Sequence, residues 1–161
     1  MKPKSVLLDT SFFLRFLNES DPLFKHAEGY FKYFIQNEIA MMISTIAIAE
    51  YCVGGDINEL PLRNLQIIPF NLDHAKRTGE LAKIAFQAKK TENLRVSNRN
   101  IIPNDTKLFA QADKEQSIDY YLSSDTESSK IYTLVSNSIP LNFQFIDLNL
   151  PHHETFGILD L

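Results

Sequence analysis

The chain is short of the features that mark membrane, secreted or nucleic-acid-coating proteins. It has one cysteine, no uncharged apolar run long enough to span a bilayer, and fewer basic residues (16) than acidic ones (20). A lone Cys52 cannot close an internal disulfide, so the chain suits a reducing, cytoplasmic compartment. Within Ala49-Glu50-Tyr51-Cys52-Val53 that thiol is expected as a packed small side chain rather than a nucleophile. The early apolar stretch is broken by Asp9 and the next by Arg15, which fits neither a signal peptide nor a membrane span. A formal charge of −4 argues against electrostatic coating of nucleic acid, but leaves room for an enzyme that touches a few phosphates. Repeats, low-complexity tracts and interdomain linkers are also missing. What remains is 161 residues, 44% apolar and 22% charged. That composition points to one globular domain over residues 1–148, with a C-terminal tail at 149–161.

Hydrophobic patterning alternates between short buried runs and helical periods. Residues 4–8, 40–43, 65–70, 118–122 and 143–148 read as strands, the first two carrying consecutive apolar residues as in a sheet covered on both faces. Helices are expected from Thr10 or Ser11, over 21–37, from Ser44 or Thr45 to Gly54-Gly55, over 71–89, from an Asn104 cap, and over 126–135. Residues 91–103 read as irregular and the tail from Pro151 shows no period. This order predicts an α/β fold, a three-layer α/β/α sandwich around a central, mainly parallel five-stranded sheet.

Four acids interrupt this pattern at telling places. Asp9 ends the first strand, Asp125 follows the fourth, and Asp105 opens the helix leading into that fourth strand. Glu50 is the only Asp, Glu, Lys or Arg between residues 39 and 55. Sites in open α/β sheets gather at the carboxyl ends of strands, where these four side chains can meet. Each has an ordinary explanation too: the helix dipole favours Asp9, Asp105 and Asp125, and Glu50 can reach solvent. If the four converge, their mutual repulsion asks for a cation. Oxygen-only ligands then select Mg²⁺ or Mn²⁺ over zinc. Thr10, Ser123 and Glu127 stand close in sequence as candidate supporting groups, although the preferred reading of each is a solvated helix-start residue. Asp113 and Asp119 lack this context and are expected at surface or loop-facing positions. His152-His153-Glu154 is a poor preformed metal site and reads as a docked or mobile tail.

The same residues carry a family resemblance. Val6-Leu7-Leu8-Asp9-Thr10-Ser11 resembles the opening strand motif of PIN-domain nucleases. Ile43-Ser44-Thr45-Ile46-Ala47-Ile48-Ala49-Glu50 is similar to their second motif, and Pro103-Asn104-Asp105-Thr106-Lys107-Leu108-Phe109-Ala110-Gln111-Ala112 to their third. Tyr121-Leu122-Ser123-Ser124-Asp125 resembles the fourth. Thr126-Glu127-Ser128-Ser129 departs from the pattern, since the family often has an aromatic there, and residues 89–103 are longer than a minimal domain needs.

The resemblance is strongest to toxin-type (VapC-like) ribonucleases. It implies a Mg²⁺- or Mn²⁺-dependent endoribonuclease with Asp9, Glu50, Asp105 and Asp125 as catalytic metal ligands and RNA as substrate. It also implies an antitoxin protein as partner and a homodimer. Lys83, Lys89, Lys90, Arg95 and Arg99 form the densest basic stretch; one reading has them guide the RNA backbone, and the preferred reading of each alone is a solvated helix end or loop. Competing readings are a non-catalytic RNA- or protein-binding module of the same fold and an RNA-processing nuclease without an antitoxin. A receiver-type phosphoacceptor needs an Asp after the third strand, where residues 65–72 supply none. A haloacid-dehalogenase-like phosphatase needs an Asp where Ser11 stands.

Overall fold

Five short strands lie side by side in the order β3-β2-β1-β4-β5, and every neighbouring pair is parallel. They are β1 (Ser5–Leu8), β2 (Ala40–Ser44), β3 (Leu65–Ile68), β4 (Tyr120–Ser123) and β5 (Gln144–Asp147). This is a computed structural model, and it describes residues 4–92 and 101–157. Arg95 and Arg99 fall outside that range.

Alternation along the strands builds two cores. Val6 and Leu8 of β1, Met41 and Ile43 of β2 and Leu122 of β4 face one side. There they meet α1 (Thr10–Phe16), α2 (Phe24–Gln36), α3 (Thr45–Tyr51) and the short α7 (His152–Phe156). Leu7, Met42 and Tyr121 face the other side, against α4 (Leu72–Glu92), α5 (Ile101–Lys114) and α6 (Thr126–Ser138). The three-layer sandwich expected from the alternating pattern is the observed architecture. All four residues of β1 are buried, because this central strand is covered above and below. Each fully buried aliphatic side chain there is worth about 1.5–3 kcal/mol.

Two boundaries differ from expectation. Helix α5 starts at Ile101, three residues before Asn104. Pro103 sits in its first turn, where a missing N–H costs nothing. Asn104 is therefore inside the helix rather than its cap, and Asp105 lies in the second turn. The tail does not trail away either: Phe156 of α7 stacks on Tyr33 of α2 with ring centroids 4.4 Å apart. Gly29 permits this docking, since a Cβ at that position would sit 2.7 Å from His152 Nδ1.

Two side chains are not where the pattern put them. Cys52 is exposed, because α3 ends at Tyr51 and the thiol falls beyond its buried stripe. Asp113 is buried. It is one turn from Phe109 on the inner face of α5, where it accepts from Arg77 Nε at 2.9 Å and from the Asn142 backbone N–H at 2.8 Å. Asp119 is half-buried and accepts from the Ser5 backbone N–H, pinning the start of β1.

Candidate active site

The chain runs outward from β1 through β2 to β3, then returns to place β4 on the other flank of β1. The crevice where this order reverses, at the carboxyl ends of β1 and β4, is the place such sheets offer a ligand. Asp9 and Ser123 meet there. The register pairs Leu8 with both Ile43 and Leu122, so the next residues, Asp9, Ser44 and Ser123, stand at one level.

Asp9 caps α1, and its carboxylate is tied on several sides. Oδ1 accepts from the Thr10 backbone N–H at 2.7 Å. Oδ2 accepts from Ser11 Oγ at 2.9 Å and from Ser123 Oγ at 2.7 Å. Each serine in turn accepts a backbone N–H from the loop after β4, Ser11 from Ser124 and Ser123 from Asp125, both at 3.0 Å. Each serine thus links a loop amide to Asp9, and the two serine oxygens stand 3.3 Å apart. Burial nevertheless raises the Asp9 carboxyl above its ordinary range, against the pull of Ser123, Ser11 and the Thr10 amide, and the charge of Glu50 adds to the rise.

Glu50 projects from α3 and is exposed, with Oε2 accepting from Thr10 Oγ1 at 2.7 Å. Asp125 caps α6, accepting from the Glu127 backbone N–H at 2.9 Å and from that of Ser128 at 3.4 Å. Asp9 and Asp125 thus do perform the capping that ordinary helix chemistry asks of them. Asp105 does not: in the second turn of α5 it is past the reach of the terminal dipole. Its Oδ2 is buried without a hydrogen-bond partner among the described residues. Burial first, then Asp125, Asp9, Glu50 and Glu127, push the Asp105 carboxyl up to about 8.

The other three predicted acids, and Glu127, all bear electrostatically on Asp105. No three Asp, Glu, His or Cys side chains among the described residues stand close enough to hold a metal ion as placed. Bare carboxylates behave this way, since two of them 4 Å apart repel by about 4 kcal/mol at an effective dielectric near 20. The residues still suit a hard divalent cation. The donors are all oxygens, and the buried Asp105 oxygen has nothing to satisfy it within the described chain.

Thr10 and Ser123 are buried and donate to the acids directly, rather than standing solvated at helix starts. Ser11 was missed as a contributor, although a hydroxyl two residues after a strand-ending Asp on a new helix is the available signal. His152 and His153 lie on α7, where His152 packs against Tyr30 and Tyr33 of α2. The basic residues Lys83, Lys89 and Lys90 lie along α4.

No protein-family model and no curated protein matches the sequence. Solved structures do match the fold. A chain of VapBC2 from Rickettsia felis, bound to a DNA fragment from its promoter, is similar with a TM-score of 0.57 at 20% identity. The match covers 89% of this chain and 99% of that one. A chain of DNA-bound VapBC from Salmonella typhimurium gives a TM-score of 0.55 at 15% identity, over 92% of this chain and 99% of its own. The fold is that of a PIN domain of the VapC type. On a PIN fold, the crevice between β1 and β4 with its acids is the candidate active site. None of the described helices is long and apolar enough to cross a membrane.

Proposed function

We propose that this PIN-fold chain is a divalent-metal-dependent endoribonuclease and the toxin of a toxin–antitoxin pair. Asp9, Glu50, Asp105 and Asp125 are its metal-binding and catalytic residues. The observation that carries the reading is the Asp105 carboxylate. Keeping one of its oxygens buried and unpartnered beside other acids is unfavourable, and a cation relieves it.

Oxygen donors alone favour Mg²⁺ or Mn²⁺. When bound, such an ion lowers the pKa of an attached water and offsets charge on the phosphate and leaving oxygen. The chain's own residues do the positioning. Asp9 is held in one orientation by Ser11, Ser123 and the Thr10 amide. Thr10 orients Glu50 through its hydroxyl. Asp105 presents its free oxygen from α5, and Asp125 completes the acidic rim at the head of α6. Lys83, Lys89 and Lys90 on α4 guide the RNA backbone to this negative pocket. An antitoxin partner is proposed because both similar chains come from VapBC assemblies.

The test is RNA cleavage with Mn²⁺ or Mg²⁺, with chelator, and by Asp9→Asn and Asp105→Asn. Cleavage is expected with metal, and is expected to disappear in chelator and in each variant while the far-UV circular dichroism is unchanged. Undiminished cleavage in chelator would falsify the metal mechanism.

A further inference from the structure

We propose that Glu127 is a fifth ligand of the metal-binding surface, offering its buried Oε2 to the same cation as Asp105; this rests on the metal-centre reading above. Glu127 stands in the first turn of α6, and its backbone N–H donates to Asp125 Oδ1 at 2.9 Å. The ordinary work of an acid at that place is to offset the helix dipole and pair with a cation one turn on. Oε1 does that work, accepting from Lys130 Nζ at 3.1 Å.

Oε2 is left unexplained by it. The side chain as a whole retains 32% of its exposure, yet this oxygen is buried with no hydrogen-bond partner among the described residues. Asp105 Oδ2 is in the same condition, and Glu127 is one of the charges acting on Asp105. Two desolvated carboxylate oxygens, one from α5 and one from α6, therefore belong to one electrostatic neighbourhood. A hard cation satisfies both at once, whereas a water or a proton shared between them leaves charge buried.

The test is Mn²⁺ affinity of the full chain, measured by calorimetry and by loss of the free-Mn²⁺ electron paramagnetic signal. The proteins compared are wild type, Glu127→Gln, Glu127→Asp and Asp105→Asn. Glu127→Gln is expected to weaken binding by about tenfold or more, and Glu127→Asp, whose shorter arm withdraws the oxygen, by a smaller factor. Circular dichroism is expected to be unchanged in both. If both Glu127 variants bind like wild type while Asp105→Asn does not, Glu127 is no ligand and the four-acid centre stands. If wild type itself binds no Mn²⁺, the metal-centre reading fails and takes this inference with it.

Discussion

Thr10 Oγ1 donates to Glu50 Oε2 at 2.7 Å, joining residues forty positions apart. Thr10 begins the helix that Asp9 caps, so one dipeptide both supplies a carboxylate and aims another. Thr10→Val keeps the shape and deletes the donor. RNA cleavage is expected to fall by about 10- to 100-fold, in the range typical of residues that orient metal ligands. Steady-state kinetics beside an unchanged thermal melt checks this; an active Thr10→Val enzyme would leave the hydrogen bond without a catalytic role.

Ser123→Ala removes a donor that favours the charged form of Asp9. The Asp9 carboxyl, already raised by burial, is then expected to rise further. Because only the ionised form binds metal, the acid limb of the activity profile should move to higher pH. A pH–rate series on wild type and variant reads the shift, and coincident acid limbs would show that Asp9 does not govern that ionisation.

Asp105 carries a pH signature that needs no substrate. Its carboxyl stands at about 8 in the folded chain against an ordinary 3.8. The unfolded chain therefore loses that proton first, and metal-free stability is expected to decline as pH rises from about 4 through 8. Asp105→Asn removes the penalty. In chelator it should raise Tm at pH 8, on the order of 5 °C, and give no gain at pH 4. Added Mn²⁺ should stabilise the wild type instead. A Tm gain for Asp105→Asn equal at both pH values would assign the effect to packing.

The arrangement of the sheet was legible because its central strands are buried on both faces and so are uniformly apolar, as in Val6-Leu7-Leu8. The four acids were legible because each breaks an apolar or turn pattern at a strand end or on a helix otherwise free of charge. Helix starts were less so. Asn104 is a favoured cap residue after a polar stretch, but Pro103 is comfortable inside a first turn, and the helix begins at Ile101. Ser11 was obscured by its ordinary chemistry, since a serine at a helix start needs no other reason to be there; Glu127 was legible only as a supporting group. Asp113 was misplaced because its partners, Arg77 and Asn142, lie 36 and 29 residues away, a separation that local pattern does not register.

Asp113 supplies a prediction independent of function. Arg77→Met strands a buried carboxylate that retains only the Asn142 amide as a strong donor. A loss of about 3 kcal/mol is expected in chemical denaturation, with cleavage per folded molecule unchanged, since the pair lies outside the acidic crevice. A variant as stable as wild type would mean that solvent reaches Asp113.

The claim that a divalent ion is shared by these acids is tested most directly by anomalous scattering at the manganese edge from crystals soaked in Mn²⁺. The account predicts a peak between β1 and α5, coordinated by Asp9 and Asp105, with Glu50, Asp125 or Glu127 reaching it directly or through water. A fully soaked crystal with no peak in that crevice, or with manganese held only elsewhere, would contradict it.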